Sequence, residues 1–545
     1  MIRKALFTIL VIALYNVLFF FSDNPWFVYF PKNTLFIISG FGLGIYITQL
    51  LFQNSYSHLL NLISKYQNIV LSFTFLFSFL FMVIFPIQNL NLGDGVILLE
   101  HVALEAKIFG FHLTMDEILE AMIHSILYAK FSNLFDSPME VYRLVSTLFG
   151  LCALGILLYY FRKFKMNLSS YLLILSSGGI YLFHGYSENY TIITTFLWVY
   201  ILFVVNTIKA NEIRNLKALI PICLIACLLI MLHLVSGYLV FSLIFLCYHF
   251  SDRGKFFKNA VVSTLFSLLI LLPIFLYFTL FSEVRFDFTQ THLTNPKFYP
   301  LSKIISKTHF RDILFCLIGS AFLGSIVLLY AFIFYKEKLI SLLKKPEYQF
   351  LEFVLFGFMI HGFVHYPQLG FPADWDLLAF FWSPIVFIAA FLLTDLINVE
   401  DNPNKPIKYL SYELIALFVF SILIFGINAI YLNRPDLEKM KELKSSIERV
   451  NVFSKTEESN YLTQVKPEYK KFYLKVSFFL FESFEKIKST STDSDLTATR
   501  LLLENKSFQE ELMNHISNVE GKWQKDFYAR LTRYHLEYLD FLKKK

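Results

Sequence analysis

Apolar residues fill most of the chain up to residue 432 in long blocks, each closed by a few polar or basic positions. Thirteen blocks stand out, at roughly 5–21, 34–52, 68–87, 141–161, 168–184, 190–208, 218–234, 237–250, 260–281, 312–335, 350–366, 377–397 and 410–432. Crossing ~30 Å of hydrocarbon takes about 20 residues as a helix, so most of these are long enough to span. The block at 237–250 is short and reads as tilted or partly re-entrant. The pattern predicts an all-α, polytopic transmembrane helical bundle of about 13 spans over 1–432, with a large first loop at 88–140.

After residue 432 the texture changes. The stretch 433–545 holds 21 Lys and Arg and 18 Asp and Glu in 113 residues, 39 of the chain's 90 charges. Apolar periodicity returns there in Leu437–Val450, Tyr469–Ile487, Leu496–Leu503 and Trp523–Leu542. This predicts a C-terminal soluble helical domain over 433–545.

One segment tests the span count. Within 116–131, Ile118, Leu119, Met122, Ile123, Ile126 and Leu127 form a helical apolar stripe, with Asp116, Glu117, Glu120 and His124 opposite. That amphipathicity predicts a helix lying in the membrane interface rather than across it. Charge agrees. With the N-terminus inside, eighteen Lys and Arg fall in inner positions, from Arg3 and Lys4 through Lys163 and Lys165 to Lys408. The short connections 185–189, 235–236 and 367–376 on the other side hold none. Thirteen crossings then place the N-terminus in the cytoplasm and the tail outside it. The first block follows Arg3 and Lys4 and has no small-residue cleavage site before Asp23-Asn24-Pro25, so it reads as an anchor.

Composition confirms lipid as the main solvent: 56% of 545 residues are hydrophobic, 64 are Phe, and the mean hydropathy is +0.55. The five cysteines lie in apolar blocks and imply neither a disulfide framework nor a zinc site. Nothing points to a nucleic-acid partner.

The candidate chemistry gathers at the outer ends of the blocks. Asn91-Leu92-Gly93-Asp94-Gly95 follows the third; its carboxylate, Asp94, is either a turn residue facing water or a group reachable from both lipid and solvent. Ser187-Glu188-Asn189-Tyr190 joins the fifth and sixth, His233 ends the seventh, and Asp374-Trp375-Asp376 precedes the twelfth. Glu188 is a solvated loop acid or a catalytic one. His233 at a helix end is commonly interfacial, and one acid of the Asp-Trp-Asp pair can cap a helix while Trp375 anchors it. Arg143 is an interfacial cation or a lipid-phosphate ligand. His184, His361 and His365 read as aromatic-belt or core residues.

The order of a Gly-Asp-Gly turn, two juxtamembrane amphipathic segments and then the stretch from Phe135-Asp136-Ser137-Pro138 through Tyr142-Arg143-Leu144 to Phe149-Gly150 resembles the GT-C superfamily of integral membrane glycosyltransferases. The likeness is to the bacterial branch of protein mannosyltransferases and the lipid A aminoarabinose transferase. It covers about 90–200 well and the rest by hydropathy alone. Asp94 falls on the family's first-loop acid, although after the third span rather than the first. Pro372-Ala373-Asp374-Trp375-Asp376-Leu377 is similar to an Arg-Asp-Trp-Asp-Leu-Phe motif, with Ala373 where Arg is expected, a departure that weakens the case for phosphate binding there.

The resemblance implies transfer of a sugar from a polyprenyl-phosphate donor to an acceptor, a glycan, lipid or protein of the cell envelope, at the outer face of the inner (plasma) membrane. Asp94 would be the general base, with Glu188 as the second catalytic acid. Arg143, His233, Asn189, Tyr190 and Trp375 would bind substrate or phosphate. A divalent cation, Mg or Mn, held by Asp374 and Asp376 is the one cofactor it allows. The competing classes are an envelope-lipid transporter or flippase, an O-antigen ligase or polymerase, and a scaffold acting through its tail. Internal repeats would favour the first and several outer arginines the second; neither is evident in the sequence.

Overall fold

The structure is a computed structural model that describes residues 2–21, 32–52, 65–90, 93, 95–109, 117–210, 216–249, 255–280, 298–366, 379–398 and 412–455, apart from isolated positions at 55, 58, 62, 63 and 474. Every predicted block has become helix. In chain order they are α1 (Ile2–Phe21), α2 (Lys32–Leu51), α3 (Gln67–Ile84), α4 (Gly95–Phe109), α5 (Ile118–Phe131), α6 (Pro138–Lys163), α7 (Leu168–Leu175), α8 (Thr191–Lys209) and α9 (Leu216–Leu232). There follow α10 (Val240–His249), α11 (Phe256–Leu280), α12 (Leu301–Ile304), α13 (Lys307–Phe334), α14 (Lys336–Leu343), α15 (Pro346–Val364), α16 (Trp382–Asn398), α17 (Tyr412–Leu432) and α18 (Leu437–Phe453). Seven helices among the described residues are long and apolar enough to cross a membrane, and three shorter apolar ones accompany them. The chain is a multi-pass membrane protein of all-α class.

Two of the blocks do not cross as single helices. Gln67 at the start of α3 donates through Nε2 to the Met166 carbonyl, and Ile87 beyond its end donates to the His184 carbonyl. Residues 166–184 therefore traverse the same thickness as α3, using eight residues of α-helix and a 3-10 turn, Gly178–Phe183, whose greater rise per residue makes up the length. At the break, α13 and α16 both come too close for a side chain. A Cβ on Gly178 would overlap the Gly319 carbonyl oxygen, and one on Gly179 would enter the Trp382 ring. α13 itself leaves helical geometry at Ala321, φ −133°. The block at 237–250 is likewise a 3-10 turn, Leu234–Leu239, leading into α10.

The bundle has two chemically different ends. At the end holding Lys4, Lys65, Arg162, Lys165, Lys209 and Lys345, cations rest on rings or pair with the occasional acid: Lys209 lies over Phe164 and Phe391, Lys4 donates to Tyr335, and Lys345 meets Asp395 at 3.1 Å. We call it the basic end. At the opposite, polar end the chain after α3 is pinned twice. Gln88 and Asn89 donate to the carbonyl of Leu432, the last residue of α17, and Asn433 donates to the Pro86 carbonyl. α18 then lies along α4, joined by a hydrogen bond from Lys107 to Asn451.

α5 covers the predicted interfacial segment. Its 14 residues rise only about 21 Å, too little to span. It packs on α4, α6 and α9. The polar face is not turned to water, however: Glu120 and His124 are buried, and the apolar stripe is the more accessible side.

Candidate functional site

The site grows from the segment His184–Tyr190, which links the broken crossing to α8. His184 packs edge-on against Phe81 and Tyr181 at the polar end. Gly185 has φ +72°, a conformation open to glycine, and its N–H donates to Ser146 Oγ. The Arg143 side chain lies against its α-carbon. Arg143 donates to Met139 Sδ at 3.3 Å, while its buried Nε has no hydrogen-bond partner among the described residues.

Next along the segment, Tyr186, Ser187 and Glu188 receive the Gly-Asp-Gly turn. Gly93, at φ +67°, has no room for a Cβ because the Glu188 carboxylate and the Tyr186 hydroxyl occupy that space. A Cβ on Gly95 would in turn meet the Ser187 carbonyl oxygen at 2.9 Å. Glu188 is 2% exposed. The structure thus brings the residues on both sides of Asp94 onto Glu188 and its neighbours. Asp94 itself lies outside the described residues, as do Asp374, Trp375 and Asp376.

Asn189 and Tyr190 begin a second cluster. The Asn189 amide is fully buried; its Oδ1 accepts from Tyr142 Oη at 2.8 Å and its Nδ2 donates to Glu117 at 2.7 Å. Glu117 also faces His233 Nε2 at 3.5 Å. His233 Nδ1 accepts from the Val235 N–H, which leaves Nε2 to carry the proton towards that carboxylate. The ring stacks on Tyr190 and stands edge-on to Phe380. His233 and Asn189, expected to bind substrate, therefore direct their polar atoms at Glu117, Tyr142 and Val235.

Sequence reasoning missed the group that holds this cluster. Glu120 accepts from the N–H groups of Ile192 and Ile193, capping the first turn of α8. Burial pushes its carboxyl up to about 8, against the pull of those two donors and with the neighbouring Glu117 adding to the rise. One turn on, His124 stacks face-to-face on Tyr142 at 3.8 Å and bonds the Glu120 carbonyl. Burial lowers it to about 4. The signal was present in the spacing of Glu120, His124 and Tyr128, which put three polar groups on one buried stripe of α5.

From His184 a cavity of about 560 Å³ runs back along the bundle between α3, the broken crossing and α17. Its lining is almost wholly apolar, from Phe77 and Phe81 to Tyr181, Phe425 and Ile430. Among the described residues no group of three His, Cys, Asp or Glu side chains converges to hold a metal ion.

No protein-family model matches the sequence, and no curated protein matches it. Among solved structures, the chain is similar to the crystal structure of ArnT from Cupriavidus metallidurans bound to undecaprenyl phosphate, at 13% identity, covering 67% of this chain and 77% of that one, with a TM-score of 0.44.

Proposed function

We propose that the chain is a membrane glycosyltransferase that takes a sugar from a polyprenyl-phosphate donor and passes it to an acceptor of the cell envelope at the polar end. One observation carries the reading. The segment His184–Tyr190 joins, in order, the end of an apolar cavity, the Arg143 side chain, the Glu188 carboxylate and the polar cluster on Glu117. An amphiphile with an anionic linkage between an apolar tail and a sugar requires that same order of surroundings.

The roles follow from position. The cavity takes the polyprenyl tail. Arg143, whose Nε lacks a partner among the described residues, takes the phosphate, which needs cations or donors as it leaves. Asp94 removes the proton of the acceptor hydroxyl, and Glu188 orients or replaces it. Glu117, Asn189, His233 and Tyr190 fix the wall of the site. The basic end faces the cytoplasm by charge, so the polar end and the tail lie outside it.

The test is Asp94→Asn, which keeps size and turn preference but cannot accept a proton. Transfer should fall by about two to four orders of magnitude with donor-lipid binding retained, measured at matched expression. Retained transfer would make Asp94 a turn residue and move the base to Glu188. Movement of the intact lipid across the membrane without transfer would favour a flippase.

A further inference from the structure

At the basic end, where α3 begins and α6 ends, a recess of about 800 Å³ is lined by three cations, Lys65, Arg162 and Lys165. Among the described residues no acid lines it; the rest of its wall is Tyr66, the polar Gln67 and Asn68, and the apolar Ile69, Leu71, Phe161 and Met166. Other cations of the basic end, such as Lys209 and Lys345, each sit apart on their own ring or acid, whereas Lys65, although over the Tyr66 ring, shares its recess with two further cations. Lys65, Arg162 and Lys165 surround one hollow.

The recess is built by backbone. After α6 the chain turns sharply, with Met166 N–H bonded to the Phe161 carbonyl and Lys165 N–H to the Arg162 carbonyl, and Lys165 takes φ +53°. That conformation is costly for a residue with a Cβ. Gln67 Nε2 ties the turn to the first residue of α3 through the Met166 carbonyl. α3 opens there without a side-chain cap on its N-terminus, adding a positive dipole end to the three cations. Arg162 gives one of its five donors to Ser72.

We propose that this recess holds the phosphate of an anionic phospholipid from the leaflet at the basic end. Charge selects the phosphate, and the apolar floor of Ile69, Leu71 and Phe161 sets the bound group beside lipid-facing surface rather than in bulk water. A soluble phosphate would gain nothing from that floor. The site is remote from the acids of the polar end and is independent of the glycosyltransferase reading.

The full-length protein, purified in detergent, is titrated with short-chain phosphatidylglycerol, and binding is read from the shift in its unfolding midpoint. Saturable binding is expected, with no shift from short-chain phosphatidylcholine. Each cation removed should weaken binding about fivefold, and Lys65→Gln, Arg162→Gln and Lys165→Gly together about a hundredfold. Glycine at 165 removes charge while keeping the turn, so Lys165→Gly alone remains informative if the triple variant does not fold. Lys344→Gln, at the same end but outside the recess, should change nothing. Equal binding of phosphatidylcholine, an equal effect of inorganic phosphate alone, wild-type affinity in the Lys165→Gly variant, or an equal loss in Lys344→Gln would each overturn the proposal.

Discussion

The carboxylate of Glu188 rests against the α-carbon of Gly93, the residue that precedes Asp94. Two acids far apart in the sequence are thereby tied to one turn, and the tie runs through a position where no side chain fits. Gly93→Ala should cost about 1 kcal/mol from φ +67° alone, with a further penalty as the methyl displaces Glu188. Gly93→Asn separates the two effects, since Asn tolerates the conformation but still meets the carboxylate. Both variants should lose most transfer activity. A fully active Gly93→Asn would show that the position of Glu188 is immaterial.

The apolar cavity offers a plug that leaves the fold alone. A Cβ at Gly426 meets nothing within 4 Å, and this residue lines the cavity. Gly426→Phe should therefore insert and fold as the parent does, while the ring occupies the tail's space. KM for the lipid-linked donor should rise about tenfold or more, equivalent to about 1.4 kcal/mol of lost contact, with kcat largely kept. An unchanged KM would remove the cavity from the donor's path.

His124 gives a pH signature. Its folded value of about 4 lies below its unfolded value of about 6.5, so the unfolded chain binds the extra proton between those limits and stability falls as pH drops through them. At pH 5 its share amounts to about 2 kcal/mol. Glu120 works in the opposite sense: its raised value makes stability fall as pH rises between about 4.5 and about 8. Unfolding midpoints of wild type and His124→Phe at pH 7 and pH 5 isolate the histidine. The variant should lose less on acidification, or even gain. Equal losses in both proteins would contradict a buried neutral His124.

Orientation is open to a direct check. A reporter active only in the cytoplasm, fused after Lys545, should be silent if thirteen crossings begin inside. Activity would reverse the placement of the polar end.

Much of the fold was legible because hydropathy is read one block at a time. Eleven of the thirteen blocks became single α-helices with ends shifted by a few residues, 168–184 and 237–250 became partly 3-10, and the stripe in 116–131 announced α5. What escaped depends on partners elsewhere in the chain. The break at 176–184 packs the Gly319 carbonyl against Gly178, a contact far away in the sequence. The burial of Glu120 needs backbone donors 72 residues further along, so its stripe read as a wetted face. Within the site, Glu188 stood out by its place between the fifth and sixth blocks and the Gly-Asp-Gly stretch by its turn chemistry, while Glu117 was seen only as a helix-face charge. The Asp374-Trp375-Asp376 motif lies outside the described residues.

The hydrogen bonds from Gln88 and Asn89 to Leu432 also order events during synthesis. The stretch leading into the Gly-Asp-Gly turn is made early, yet its anchor is the final residue of the last span. Until α17 has left the ribosome and entered the bilayer, that stretch has neither its carbonyl partner nor the Asn433 amide. Nascent chains carrying every crossing but the last should thus be integrated and incompetent, with activity appearing only after the last crossing is in place. A long-range closure of this kind delays assembly of the reactive end to the close of biogenesis.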